Sequence, residues 1–287
     1  MLAYDIRGSG PGLVLLHGIG STATATWGTL VDSLAAEYTL VLPDLPGSGL
    51  SPLPDGPLEA AAVADQIVAT AREAGLSRFV VAGASLGAAI AIKIATRHPG
   101  RVRGLLTLAG FARPRTALSL GLEMWASLHT RQDDELSAFL ASASFSEKYL
   151  AALAPDTARR LNARLGASAT GTAEQIAFAL GIDVRGDLSA VTAPTLVVAA
   201  MGDRFAAPEH SVELAEGIPG ARLAAVRGGH AATIEEPGRI LRVIREFLHD
   251  IDRYQAKGRR TAPAPPPVSQ GPGLPPPIAR PRNPHRR

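Results

Sequence analysis

Cysteine is absent from the chain, which rules out a disulfide, a thiolate metal site and a cysteine nucleophile. No apolar run reaches the length that a membrane-spanning helix needs. The first residues, Met1-Leu2-Ala3-Tyr4-Asp5-Ile6-Arg7, lack the basic stretch followed by an apolar one that marks an export signal, so a cytoplasmic location is expected. No metal-ligand spacing is visible, and neither a metal nor an organic cofactor is expected. Acidic residues are missing from Lys257 onward, where seven basic ones stand: Lys257, Arg259, Arg260, Arg280, Arg282, Arg286 and Arg287. The whole chain carries a formal +3, yet positions 1–256 hold 22 basic against 26 acidic residues, a formal −4. The part able to fold is therefore mildly acidic, and nothing in it argues for a nucleic-acid or membrane partner.

The basic segment is also rich in proline and cannot bury a core. Residues 255–287 are expected to form a disordered or polyproline II tail. Such a segment can dock on an aromatic groove or an anionic surface, but a solvated extension without a partner is the expectation. What remains is ample for a large core: 46% of the 287 residues are apolar and 19% charged.

Short apolar runs recur at intervals: Leu13–Leu16, Thr39–Leu42, Phe79–Ala82, Leu105–Leu108 and Thr195–Ala199, with Leu223–Val226 as a weaker sixth. Continuous rather than alternating apolar character means burial on both faces, hence a parallel sheet covered by helices. Ala60–Ala74 and Gly238–Ile251 carry helical periodicity. Between Pro114 and Asp187 the periodicity is helical without a strand, broken at Pro155 and at Gly166–Gly171. The reading is an α/β fold, a mostly parallel doubly wound sheet with an inserted helical cap. Residues 1–113 and 188–254 form its core, and 114–187 form the cap over the crevice where ligands bind.

Gly83-Ala84-Ser85-Leu86-Gly87 stands between the strand run Arg78–Ala82 and an alanine-rich helical run, Ala88–Ala95. Small residues on both sides allow a very sharp strand-to-helix turn that lifts the serine hydroxyl clear of the sheet and sets it at a helix N-terminus. Read alone, the same serine could simply cap that helix. A nucleophilic serine needs a base, and His230, in the loop Gly228-Gly229-His230 after a strand run, is the candidate. His98, before Pro99, suits a helix C-terminus, while His129, His210, His249 and His285 have no comparable loop. Asp203, just after the strand Thr195–Ala199, would fix the imidazole tautomer. Read alone, it is a turn aspartate bonding nearby backbone. Asp44, in Pro43-Asp44-Leu45-Pro46-Gly47-Ser48-Gly49, competes but suits a structured turn. Loops after parallel strands open on one side, so Ser85, Asp203 and His230 can converge there. The backbone N–H groups of Leu86 and of Ile19, in His17-Gly18-Ile19-Gly20, are candidates for an oxyanion hole. His17 is expected to be structural.

These pieces, together with Trp27, Arg97-His98-Pro99, Arg101-Val102 and Glu235-Glu236-Pro237, make the chain resemble the α/β-hydrolase fold superfamily over residues 1 to about 250. The resemblance implies a Ser85 nucleophile, a His230 base and an Asp203 orienting acid beneath a helical cap. It is nearest to small soluble esterases and lactonases of the 3-oxoadipate enol-lactonase kind. The expected activity is hydrolysis of a small-molecule carboxylic ester or lactone through an acyl-Ser85 intermediate. Carbon–carbon bond hydrolysis, perhydrolysis and biosynthetic cyclisation use the same triad, and a non-catalytic ligand-binding protein on this fold is the alternative of another class. Relatives that hydrolyse epoxides or haloalkanes place aspartate where this chain has Ser85. In the cap, Met124 and Trp125 are the candidates to line a substrate pocket. Leu122, Phe139, Phe145 and Phe178 are apolar too, with core packing expected of most of them.

Overall fold

The computed structural model of the chain describes residues 1–165 and 170–256. The expected tail 255–287 lies outside the described residues except for Gln255 and Ala256, which close the last helix instead, and most of the expected break at Gly166–Gly171 lies outside them too. Seven strands form one sheet: β1 (Tyr4–Arg7), β2 (Gly12–Leu16), β3 (Thr39–Pro43), β4 (Phe79–Ala84), β5 (Val102–Leu108), β6 (Thr195–Ala200) and β7 (Arg222–Val226), in the order β1-β3-β2-β4-β5-β6-β7. All neighbours run parallel except β1, which pairs antiparallel with β3.

Helices cover both faces, which is why the inner strands read as unbroken apolar runs. Val14 and Leu16 of β2 and Val81 of β4 pack on one side with α2 (Ala60–Glu73) and α3 (Leu86–Arg97). Leu13, Leu15, Val80 and Ala82 pack on the other with α1 (Ala23–Ala35) and α11 (Pro237–Ala256). Successive strand residues point to opposite faces, so each face takes every second side chain.

Two elements differ from the expectation for physical reasons. Strand β1 is an edge strand with Asp5, Ile6 and Arg7 exposed, so it carries no run of buried residues. Helix α1 is rich in threonine, a residue whose branched side chain lowers helix propensity. It is held instead by burial of Trp27, Leu30 and Leu34 and by the Thr22 side chain, which accepts the Ala25 N–H at its N-terminus. Strand β7, the weak sixth run, is the opposite edge and alternates half-buried with exposed positions, with only its last residue, Val226, buried.

Among the described residues five helices and no strand are inserted between β5 and β6: α4 (Thr116–Thr130), α5 (Leu136–Ser144), α6 (Glu147–Ala152), α7 (Pro155–Leu165) and α8 (Thr172–Gly181). Pro155 opens α7, where a missing N–H costs nothing. A 3-10 turn (Arg185–Ala190) returns to the sheet, then α9 (Pro208–Gly217) and the short α10 (Ala232–Glu235) follow β6 and β7. No helix of the described residues is long and apolar enough to cross a membrane.

Candidate active site

Ser85 is the single residue between β4 and α3, and its backbone sits at φ 55°, ψ −122°. A non-glycine residue with positive φ costs about 1–3 kcal/mol and persists only where its surroundings dictate it. Here they do. A Cβ on Gly83 would lie 2.1 Å from the Gly87 carbonyl oxygen, and one on Gly87 would lie 2.6 Å from that of His17. Both glycines are required by the closeness of strand, helix and neighbouring loop. The Ser85 side chain makes no capping hydrogen bond to α3; its Oγ stands 2.8 Å from Nε2 of His230.

His230 follows β7 in a loop fixed at several points. The Gly202 N–H donates to the Gly228 carbonyl, and the Ala231 N–H donates to Ser144 of the cap. Across the ring, Nδ1 lies 2.7 Å from Oδ2 of Asp203, whose side chain is fully buried just beyond β6. The other Asp203 oxygen accepts the N–H groups of Phe205 and Ala206 at 2.8 and 2.9 Å. The aspartate therefore does both things the sequence allowed: one oxygen builds its own turn and the other faces the imidazole. With Nδ1–H donated to the carboxylate, Nε2 is left with a lone pair facing the serine hydroxyl. The edge of Phe205 packs against the His230 ring, 5.4 Å between centroids.

The loop His17–Gly20 leans on this turn, and a Cβ on Gly18 would come 3.0 Å from Ser85 Cβ. Leu86 is the first residue of α3, so its N–H has no acceptor within the helix. His17 is fully buried. The Leu45 N–H donates to its Nε2 at 2.8 Å, so the proton sits on Nδ1 and is donated to the Gly18 carbonyl at 2.7 Å. Burial pulls its pKa from 6.5 down to about 4, only partly opposed by the Gly18 bond. Asp44 is not the carboxylate bonded to His230. Its Oδ1 accepts the Ala23 N–H at the start of α1 rather than groups of its own turn, and burial raises its pKa.

The sequence model of the α/β hydrolase fold matches residues 11–237. The chain belongs to this family. Among its relatives, a pyrrolizixenacetamide deacetylase of Xenorhabdus hominickii is 31% identical over 250 residues, which cover 86% of this chain and 94% of that one. A pimeloyl-[acyl-carrier protein] methyl ester esterase of Aeromonas hydrophila is 29% identical, covering 84% of this chain and 96% of the relative. The enol-lactonase of Burkholderia xenovorans superposes with a TM-score of 0.75 over 86% of this chain and 96% of its own, and at 22% identity that likeness concerns the fold alone.

In this α/β-hydrolase the space beside Ser85 and His230 is a cavity of about 930 Å³. One wall is small and hydroxylated, from the loop after β2 and the start of α1: Gly20, Ser21, Thr22, Thr24 and Thr26. The other is apolar, with Trp125, Leu140, Phe145, Leu161 and Phe205. Trp125 lines it. Met124 does not: one residue along α4 is a turn of about 100°, and Met124 points outward, half exposed. Leu122 and Phe178 are buried in the core. A second groove of about 680 Å³, between Arg113, Arg115 and Arg185 and the acids Glu209, Glu213 and Glu216, shares no lining residue with this one. No group of three His, Asp or Glu among the described residues is placed to hold a metal.

Two residues have structural work that the sequence reading does not assign: Glu235 enters it only as part of a motif, and Gln175 not at all. Glu235 of α10 accepts the Gly229 and Ser146 N–H groups with one oxygen, at 2.9 and 2.8 Å, and the Ser146 hydroxyl with the other at 2.5 Å. It thereby ties the His230 loop to the cap. Gln175 of α8, fully buried, bonds the loop of Ile19. Each acts across about 90 or more residues of chain, a separation that no local pattern reports.

Proposed function

We propose that this hydrolase cleaves a carboxylic ester or lactone through an acyl-Ser85 intermediate. The observation that carries the reading is the continuous chain of hydrogen bonds from Ser85 Oγ through both nitrogens of His230 to the buried Asp203. His230 Nε2 takes the serine proton as Oγ attacks the carbonyl carbon. The N–H groups of Ile19 and Leu86 receive the negative oxygen of the tetrahedral intermediate. The imidazolium, stabilised by Asp203, then protonates the leaving alcohol oxygen as the C–O bond breaks. Water, deprotonated by the same Nε2, attacks the acyl carbon, and the proton returns to Ser85 as the acid departs.

The cavity supports a substrate that is apolar on the cap side and a small uncharged group beside the threonines. An amide is the second reading, favoured by the name of the Xenorhabdus relative; the same steps apply with nitrogen protonated as it leaves. The deciding experiment has two parts. A fluorophosphonate is expected to label the wild type but not Ser85→Ala. p-Nitrophenyl esters of increasing chain length, simple lactones and p-nitroacetanilide are then compared by kcat/KM. A folded wild type that neither takes the label nor turns over any member of the panel refutes the proposal.

A further inference from the structure

Ile19 lies between two peptide planes, and each is held by a side chain. The plane that carries the Ile19 N–H has the Gly18 carbonyl at its other end, and that carbonyl accepts Nδ1–H of His17 at 2.7 Å. In a trans peptide C=O and N–H point opposite ways, so holding the carbonyl aims the N–H. The next plane carries the Gly20 N–H, which donates to Oε1 of Gln175 at 2.8 Å. The Gln175 amide is used on both ends: its Nε2 donates to the Pro46 carbonyl at 2.8 Å and to Ser48 Oγ at 2.9 Å. One fully buried side chain from the cap thus joins the Ile19 loop to the loop after β3. The cap does not depend on it for its seat, because the Gly171 N–H also donates to the Gly47 carbonyl at 2.8 Å.

We propose that Gln175 is a positioning residue for the oxyanion hole: by fixing the Gly20 N–H it holds Ile19 in the orientation that presents its own N–H to the developing oxyanion. This rests on the reading of Ile19 as an oxyanion donor given above. A preorganised donor helps the transition state more than the bound ester, so loosening it lowers kcat and leaves KM nearly unchanged. A residue that served only to anchor the cap would change stability or KM instead.

The test compares Gln175→Met, which removes every polar contact at similar size, with Gln175→Glu, which keeps an acceptor for the Gly20 N–H. Rates are taken per site titrated with fluorophosphonate, on the full chain with a p-nitrophenyl ester. Loss of one oxyanion donor costs about 10²–10³ in kcat, and a donor displaced rather than lost is expected to cost Gln175→Met roughly 10- to 100-fold with KM within about threefold. Gln175→Glu is expected to recover kcat to within about threefold of wild type whatever its melting temperature. A tetrahedral trifluoromethyl ketone inhibitor should bind Gln175→Met more weakly by the same factor as the fall in kcat/KM. Should Gln175→Met not fold, Gln175→Asn keeps an amide in the site but ends one methylene short of Gly20, and is expected to be slow as well. Wild-type kcat in the folded Met or Asn variant, a loss confined to KM, or a Glu variant as slow as the Met variant overturns the proposal. A wild type without labelling or turnover overturns the hydrolase reading itself, and this one with it.

Discussion

Acid is expected to destabilise this protein through His17 before it affects most of the carboxylates. In the folded chain the imidazole is fully buried, with one nitrogen donating to Gly18 and the other accepting from Leu45. A second proton would leave the Leu45 N–H facing an N–H and would put a charge in the core. The folded-state pKa is accordingly about 4 against 6.5 for the free side chain. The unfolded chain therefore binds a proton that the folded chain refuses between those values, so stability is lost as pH falls from about 6.5 to about 4. The integrated loss is about 3 kcal/mol, of which about 2 kcal/mol is gone by pH 5. Burial also lowers the His210 pKa, which acts in the same direction, while the raised Asp44 pKa acts in the opposite one. Both groups are retained in His17→Gln, so the difference between the two proteins reports His17 together with its 4.0 Å contact to Asp44. Urea unfolding at pH 7 and pH 5 is the assay. The wild type should lose about 2 kcal/mol more than His17→Gln over that interval. Equal losses in the two proteins would refute the argument, because they would mean that His17 is not held neutral by the fold.

Three further outcomes follow from the geometry. Gly83→Ala places a methyl 2.1 Å from a backbone oxygen that a rotamer change cannot move, so a loss of about 3 kcal/mol or more in the same urea assay, or failure to fold, is expected. Asp203→Asn keeps an acceptor for the Phe205 and Ala206 N–H groups and so should fold, but it can no longer hold His230 with Nε2 free; kcat on a p-nitrophenyl ester is expected to fall about 10⁴-fold. Glu235→Ala leaves the Gly229 and Ser146 N–H groups without their acceptor at a half-buried site, and should cost roughly 1–3 kcal/mol. It should also lower kcat, read on titrated sites at a temperature where the variant remains folded.

What could be read from the sequence was what sterics and burial impose locally. The inner strands announced themselves because both faces of the sheet are covered, whereas β1 and β7, each with one free edge, did not or barely did. The Ser85 turn was legible because Gly83 and Gly87 admit no larger residue, and a site so constrained leaves its mark in five consecutive letters. His230 and Asp203 were legible through the loops that follow parallel strands. The helix α1 was not, since its threonines speak against a helix and only packing of Trp27 and Leu30 against the sheet speaks for it. Met124 and Trp125 show the limit most plainly: both are large and apolar, and choosing between them requires the rotation of α4 against its neighbours.

The cap is the part least legible in the sequence, and it is also joined to two loops of the candidate site. Ser144 and Ser146 hold the His230 loop, the latter through Glu235, and Gln175 holds the Ile19 loop. These are backbone-directed hydrogen bonds, so many sequences can supply them, and none requires a recognisable motif. A cap that merely roofed the cavity would act on substrate affinity alone. On the proposed roles of Ile19 as oxyanion donor and His230 as base, a cap that holds both loops must act on the rate constant as well. Substitutions at Ser146 and Gln175 that remove these side-chain contacts should therefore lower kcat, while those at the apolar wall, such as Trp125 and Leu161, should redistribute KM among acyl chains. On the proposed roles of these residues, the division between cap and core in the chain is not a division between specificity and catalysis.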